Sequence, residues 1–247
     1  MSGHSKWSQI KRKKGVEDVK RAKVFTKMAQ VIALAAREGG SDASSNAKLR
    51  LAIEKARTVN MPASNIERAI DRGAGKSSGA QLQEILLEGY GPGGSALIIE
   101  AITDNKNRTI PEIRRVLETG GGKMANEGSV LWMFEKVGKV FIDPENKNRE
   151  DLELQAIEAG ADDVFDFEDE ILAITNPQNT ELLKKNISDF NVKTKSSSLG
   201  FVPKNLATIN KEDLSKNETL VEKLEDMDDV QEVTTNMSVV DYEILRN

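Results

Sequence analysis

The order of elements between residues 82 and 240 limits the fold more than any single motif does. Residues 137–199 spell β-α-β-β-α-β. The strands are expected at Val137–Asp143, Val164–Phe167, Glu170–Thr175 and Val192–Ser198, from short β-branched and apolar runs. Helices are expected from about Arg149 to Ala159 and from about Asn179 to Asp189. That order is ferredoxin-like and completes its own sheet. The preceding hairpin, helix and strand of residues 82–134 therefore lack partners until residue 201. There a strand near Phe201–Ile209 is expected, then a helix capped by Asn210 with Leu214, Val221, Leu224 and Met227 inward, and a strand near Val230–Met237. The architecture that satisfies both sets inserts 137–199 into a domain made of 81–136 plus 200–247.

Upstream, the periodicity turns helical. Phe25, Met28, Ile32 and Ala35 form one apolar face of a helix from about Glu17 to Glu38, stopped by Gly39-Gly40. A second helix follows Ser41–Asn46, with Leu49, Ala52, Ile53, Ala56 and Val59 inward, and ends at Asn60-Met61-Pro62. A third has an expected capping box, Ser64-x-x-Glu67, and stops at Gly73. Residues 1–80 thus read as a basic arm and a three-helix domain. The fold class is α+β: an N-terminal three-helix domain followed by two α+β domains, the last ferredoxin-like and inserted in the second.

Charge divides the same way. Residues 1–80 carry 17 Lys/Arg and 7 Asp/Glu, a net of +10, while residues 81–247 carry 18 and 33, a net of −15. A basic head on an acidic body points to a head that meets a polyanion. Within it, Lys6, Lys11, Arg12, Lys13, Lys14, Lys20, Arg21, Lys23 and Lys27 crowd the first 28 residues, with Trp7 among them. Cationic side chains release counterions from phosphates, and an indole can stack on a base. These ten residues are the expected nucleic-acid contacts. The competing view is a solvated terminus with Trp7 packed on the domain behind it.

A second contact loop is expected at Gly120–Ser129, where Gly and Ala fill half the positions. Read as mobile, it offers backbone approach at Gly121 and Gly122, a cation at Lys123 and an exposed thioether at Met124. A plain flexible connector is the alternative.

Other signals fail on context. Gly75-Lys76-Ser77 resembles the end of a phosphate-binding loop, but Ile70 stands where that motif needs its first glycine and a helix precedes it. Gly89, Gly91 and Gly94 match G-x-G-x-x-G, yet a strand follows and Pro92 lies inside, so the stretch reads as a hairpin turn. The carboxylates of Asp162–Glu170 lack the glycine and terminal glutamate of a calcium loop and read as a solvated hairpin.

The chain has no cysteine and a single histidine, His4. Disulfides, thiolate sites, multi-histidine metal sites and a Cys–His nucleophile are excluded. No catalytic set, metal, cofactor or small-molecule substrate is expected. No apolar run approaches the roughly 20 residues of a membrane span, and the basic N-terminus lacks the apolar core of a secretory signal. The expected location is cytoplasmic, with no membrane partner.

Several motifs stand together in order and spacing: Gly3-His4-Ser5-Lys6-Trp7, Asn60-Met61-Pro62, Asn65-Ile66 with Arg68-Ala69-Ile70, Glu88-Gly89-Tyr90-Gly91-Pro92, Thr103-Asp104-Asn105 with Asn107-Arg108-Thr109, and Gly128-Ser129-Val130. In these the sequence resembles the YebC family, with high specificity from residue 3 to about 137 and by layout beyond. Leu86-Leu87 departs from a Thr-Tyr pair common there. The family includes probable transcriptional regulators and a mitochondrial translational activator of cytochrome oxidase subunit one. The resemblance implies a helical domain, two α+β domains and no enzyme activity. It implies a nucleic-acid-binding regulator of gene expression that binds DNA. The alternative is a ribosome-associated translation factor that binds ribosomal and transfer RNA and relieves stalling at proline-rich sequences. An enzyme using Lys or carboxylate chemistry and a protein-docking module using the acidic body are the other classes weighed.

Overall fold

The structure, a computed structural model, describes residues 18–75, 81–145, 147–167 and 170–239. It divides into two compact units, one of residues 82–135 with 201–239 and one of residues 18–75 with 136–200.

In the second unit, helix α1 (Asp18–Gly39) packs on α2 (Ala47–Thr58) and α3 (Ala63–Gly73). Met28, Ile32, Ala35 and Ala36 of α1 meet Leu49, Ala52 and Ala56 of α2 and Ile66 and Ala69 of α3. Spacings of three and four residues put these on facing stripes. Asn46 caps α2 by accepting from the Leu49 N–H at 3.0 Å, and its Nδ2 donates to the carbonyls of Ala35 and Gly40 at 2.8 Å. One side chain thus closes two helix ends. The capping box expected at Ser64 does not form. Pro62 is the N-cap of α3, and its carbonyl accepts from the Asn65 and Ile66 N–H groups, so Ser64 already lies inside the first turn.

The same unit holds the ferredoxin-like sheet, ordered β5-β6-β4-β7: β4 (Phe134–Ile142), β5 (Asp163–Phe167), β6 (Glu170–Thr175) and β7 (Thr194–Pro203). Helices α5 (Arg149–Glu158) and α6 (Thr180–Asp189) bury Leu152, Ala156, Leu183 and Ile187 against Val140, Ile142, Ile171 and Ala173. Two expectations need correction. Residues 131–133 form a 3₁₀ turn rather than a strand, and the strand after it runs unbroken from Phe134 to Ile142. Likewise, Thr194–Pro203 is one strand, followed by the short β8 (Ala207–Ile209). Gly200 does not break β7. A β-carbon there would stand 2.7 Å from Nζ of Lys139, which is buried, so the glycine makes room for that side chain.

In the first unit the sheet order is β3-β1-β2-β9, with β1 (Gln83–Tyr90), β2 (Ala96–Thr103), β3 (Lys123–Met124) and β9 (Val230–Thr235) antiparallel. Helices α4 (Lys106–Thr119) and α7 (Lys211–Glu225) cover one face through Ile113, Leu117, Leu214, Leu220, Val221 and Leu224. The other face buries Ala96, Ile98, Val130, Phe134 and Phe201. Alternate residues of β2 therefore serve both cores, and every residue of β2 except Glu100 is buried. A short strand β10 (Met237–Val239) pairs in parallel with β8. Helix α4 starts at Lys106, because Asn105 caps it by accepting from the Arg108 N–H at 3.2 Å. The G-x-G-x-x-G stretch is the β1–β2 turn. A β-carbon on Gly91 would lie 2.0 Å from Oδ1 of Asn217, whose Nδ2 donates to the Pro92 carbonyl at 2.8 Å, so the motif glycine admits α7 rather than a phosphate.

Candidate nucleic-acid interface

Strand β1 ends in Glu88, Gly89 and Tyr90, and β3 pairs beside them, Gly89 with Met124 and Tyr90 with Lys123. Beyond β3 the chain wraps around the side chain of Glu88. That residue is 4% exposed. Its carboxylate accepts from the backbone N–H groups of Gly128 at 2.5 Å, Val130 at 2.6 Å and Leu131 at 2.9 Å. Its own carbonyl accepts from the Ala125 N–H at 2.8 Å. Burial pushes the carboxyl pKa up, but the N–H groups of Val130, Gly128, Leu131 and Ser129 outweigh it and hold the value below the ordinary one. Residues 125–131 are thus folded onto an ionised carboxylate.

The 3₁₀ turn at Leu131–Met133 then throws Trp132 outward, 63% exposed. Leu131 and Met133 turn inward against the core. The Trp132 Nε1–H donates to the Ser129 carbonyl at 3.0 Å, and the Tyr90 hydroxyl reaches the same oxygen at 3.4 Å. Lys123 Nζ stands 5.5 Å from the centroid of the Tyr90 ring, within cation–π range. Two aromatic side chains share one carbonyl, and a cation stands over one of them.

The expected second loop is therefore tied down, not a mobile connector. Met124 is half-buried, packs on the helix-side core and receives Arg114 Nη2 on its sulfur at 3.7 Å, which corrects the expectation of an exposed thioether. Gly121 has φ +80°, a conformation that favours glycine. Gly122 meets the protein itself, since a β-carbon there would lie 2.5 Å from the Tyr90 carbonyl. Lys123 is exposed.

Of the arm residues, Lys6, Trp7, Lys11, Arg12, Lys13 and Lys14 lie outside the described residues, and Lys20 is described only as part of α1. Arg21 is exposed, whereas Lys23 and Lys27 are half-buried. Glu88, Tyr90 and Trp132 carry the geometry, yet residue patterns alone single out none of them as a site. One signal was present: a carboxylate in an apolar strand, flanked by Leu87 and Gly89. A further one was Trp132, one of only two tryptophans. Among the described residues no group of three or more His, Cys, Asp or Glu is placed to hold a metal ion, and no helix is long and apolar enough to cross a membrane.

Known proteins are similar to this chain over nearly its whole length. Residues 5–76 match the model of the TACO1/YebC protein N-terminal domain, and residues 82–237 match that of the TACO1/YebC second and third domain. The chain belongs to the TACO1/YebC family. A probable transcriptional regulatory protein of Caldanaerobacter subterraneus is 47% identical over 98% of this chain and 100% of that protein. One from Thermotoga maritima is 45% identical over 99% and 96%. The crystal structure of a conserved hypothetical protein from Aquifex aeolicus superposes with a TM-score of 0.90 at 39% identity, covering 98% of this chain and 100% of that one. The α+β architecture is thus that of a TACO1/YebC protein, and the curated relatives of this YebC-family chain bear the name of regulators.

Proposed function

We propose that this chain is a non-enzymatic, cytoplasmic regulator of gene expression that binds DNA through its basic arm and first helix. The observation that carries the reading is the charge partition, +10 in residues 1–80 against −15 in residues 81–247. The net charge of the head draws a polyanion far more strongly than that of the body, where only local cations can add contacts, so binding is polar and sensitive to salt. The names of the curated relatives, probable transcriptional regulatory proteins, support the regulatory half of the reading. The proposal includes a division of labour in which 1–80 binds, 81–136 plus 200–247 holds the Ser129 cluster and 137–199 remains a separate acidic insert. Lys123 is its second contact.

Two measurements test it. Replacing Lys11, Lys13 and Lys14 by alanine should flatten the log–log dependence of affinity on salt by about 0.9 for each phosphate no longer neutralised. An unchanged slope removes the arm from the interface. Crosslinking in cells followed by sequencing of the bound nucleic acid should return promoter fragments. Predominant ribosomal and transfer RNA reads would overturn the DNA assignment in favour of translation.

A further inference from the structure

The cluster around Ser129 lies outside the basic arm, at the edge of one core of its unit, where Tyr90 packs and Trp132 does not. Trp132 is the most exposed large hydrophobic residue among those described. Packing an indole away from water is strongly stabilising, and this fold forgoes that gain. The ring is nevertheless held: its N–H is engaged by Ser129 at 3.0 Å, which leaves the faces of the ring for a partner. Tyr90 shares the same oxygen, and Lys123 stands over the Tyr90 ring. The carbonyl of Met133, one residue past Trp132, accepts from the Lys204 N–H at 2.9 Å, which anchors the backbone of a second exposed lysine beside the 3₁₀ turn. The exposed acids of the segment are Glu127 and Glu135, and Glu88 is buried and engaged by backbone N–H groups. The apolar neighbours of Trp132 face the core, so the ring does not open an aliphatic groove of the kind a protein helix fills. An exposed aromatic held by its N–H, on a segment that also carries two exposed lysines, has the make-up of a single-strand platform.

We propose that Trp132, flanked by Tyr90, Lys123 and Lys204, stacks one unpaired nucleobase of a single-stranded segment whose phosphates face the two lysines. This rests on the nucleic-acid reading above and narrows it: the arm contacts any phosphate backbone, whereas the platform needs an unpaired base.

Trp7 and Trp132 are the two tryptophans, so a Trp7→Phe full-length chain reports from Trp132 alone. It is titrated with a single-stranded oligothymidylate of about a dozen nucleotides and with a duplex of equal length. Single strand should quench the emission saturably, and duplex should not. In the same background Trp132→Ala should weaken single-strand binding about tenfold or more, and Trp132→Phe should restore most of it. Duplex affinity and the melting temperature should stay unchanged. Emission that does not move at saturating single strand, with Trp132→Ala binding as tightly as its parent, overturns the platform while arm-dependent binding keeps the broader reading. A chain that binds neither oligonucleotide overturns both.

Discussion

Glu88→Ala removes the one carboxylate around which residues 125–131 are folded, and its cost can be worked from the three donors it leaves behind. Val130 is fully buried, so its N–H finds no water and the loss is about 1–3 kcal/mol. Leu131 is half-buried and adds about 1 kcal/mol. Gly128 is exposed, and water replaces most of what its N–H loses. Alanine also escapes the cost of burying a charge, which offsets part of the sum. The net destabilisation of this unit should be about 1–3 kcal/mol at neutral pH. The folded carboxyl pKa lies below its ordinary value. The stabilisation is therefore complete above the unfolded glutamate value of about 4.3 and is lost as pH falls through the folded value. The difference between wild type and Glu88→Ala should be widest at neutral pH and narrow below about pH 4. Amide hydrogen exchange gives the local readout, because protection of the Gly128, Val130 and Leu131 amides should fall while α1–α3 amides keep theirs. A destabilisation under about 0.5 kcal/mol at pH 7, or unchanged protection at Val130, would refute the role assigned to this carboxylate.

Two adjacent glycines should respond differently to a side chain. Gly122→Val drives a β-carbon to 2.5 Å from the Tyr90 carbonyl and should cost about 1–3 kcal/mol by forcing β3 off β1, whereas Gly121→Ala meets only Pro92 Cγ at 3.6 Å and should cost about 1–2 kcal/mol through its φ of +80°. Melting of the two variants, with exchange at Tyr90 and Met124, separates collision from backbone strain, and equal exchange in both would sink the distinction. Trp7→Ala should weaken binding by roughly 1–3 kcal/mol with no change in melting temperature if Trp7 stacks on a base; a fall in melting temperature with affinity intact would instead make it a packing residue.

The periodic parts of this chain were legible without coordinates because they are local. The stripe Met28, Ile32, Ala35, the turn glycines after β1 and the βαββαβ order of 137–199 each follow from spacing within a few turns or strands. Charge placement likewise needs no fold, and it makes the arm a candidate from the sequence alone. Local patterns failed for two reasons, a neighbouring residue with a stronger claim and a packing demand from elsewhere in the fold. Ser64-x-x-Glu67 satisfies a capping pattern, but Pro62 starts the helix earlier. Val192–Ser198 and Phe201–Ile209 read as separate strands, yet β7 runs through Gly200, beside the buried Lys139. The Ser129 cluster could be found only in three dimensions. Glu88 reaches its donors across 40 to 43 residues, and Tyr90 meets Ser129 across 39. Sequence patterns record periodicity over neighbouring residues, while a carboxylate chooses its donors among whatever the folded backbone brings within hydrogen-bonding reach. For that reason the basic arm belongs to the sequence, and the exposure of Trp132 belongs to the fold.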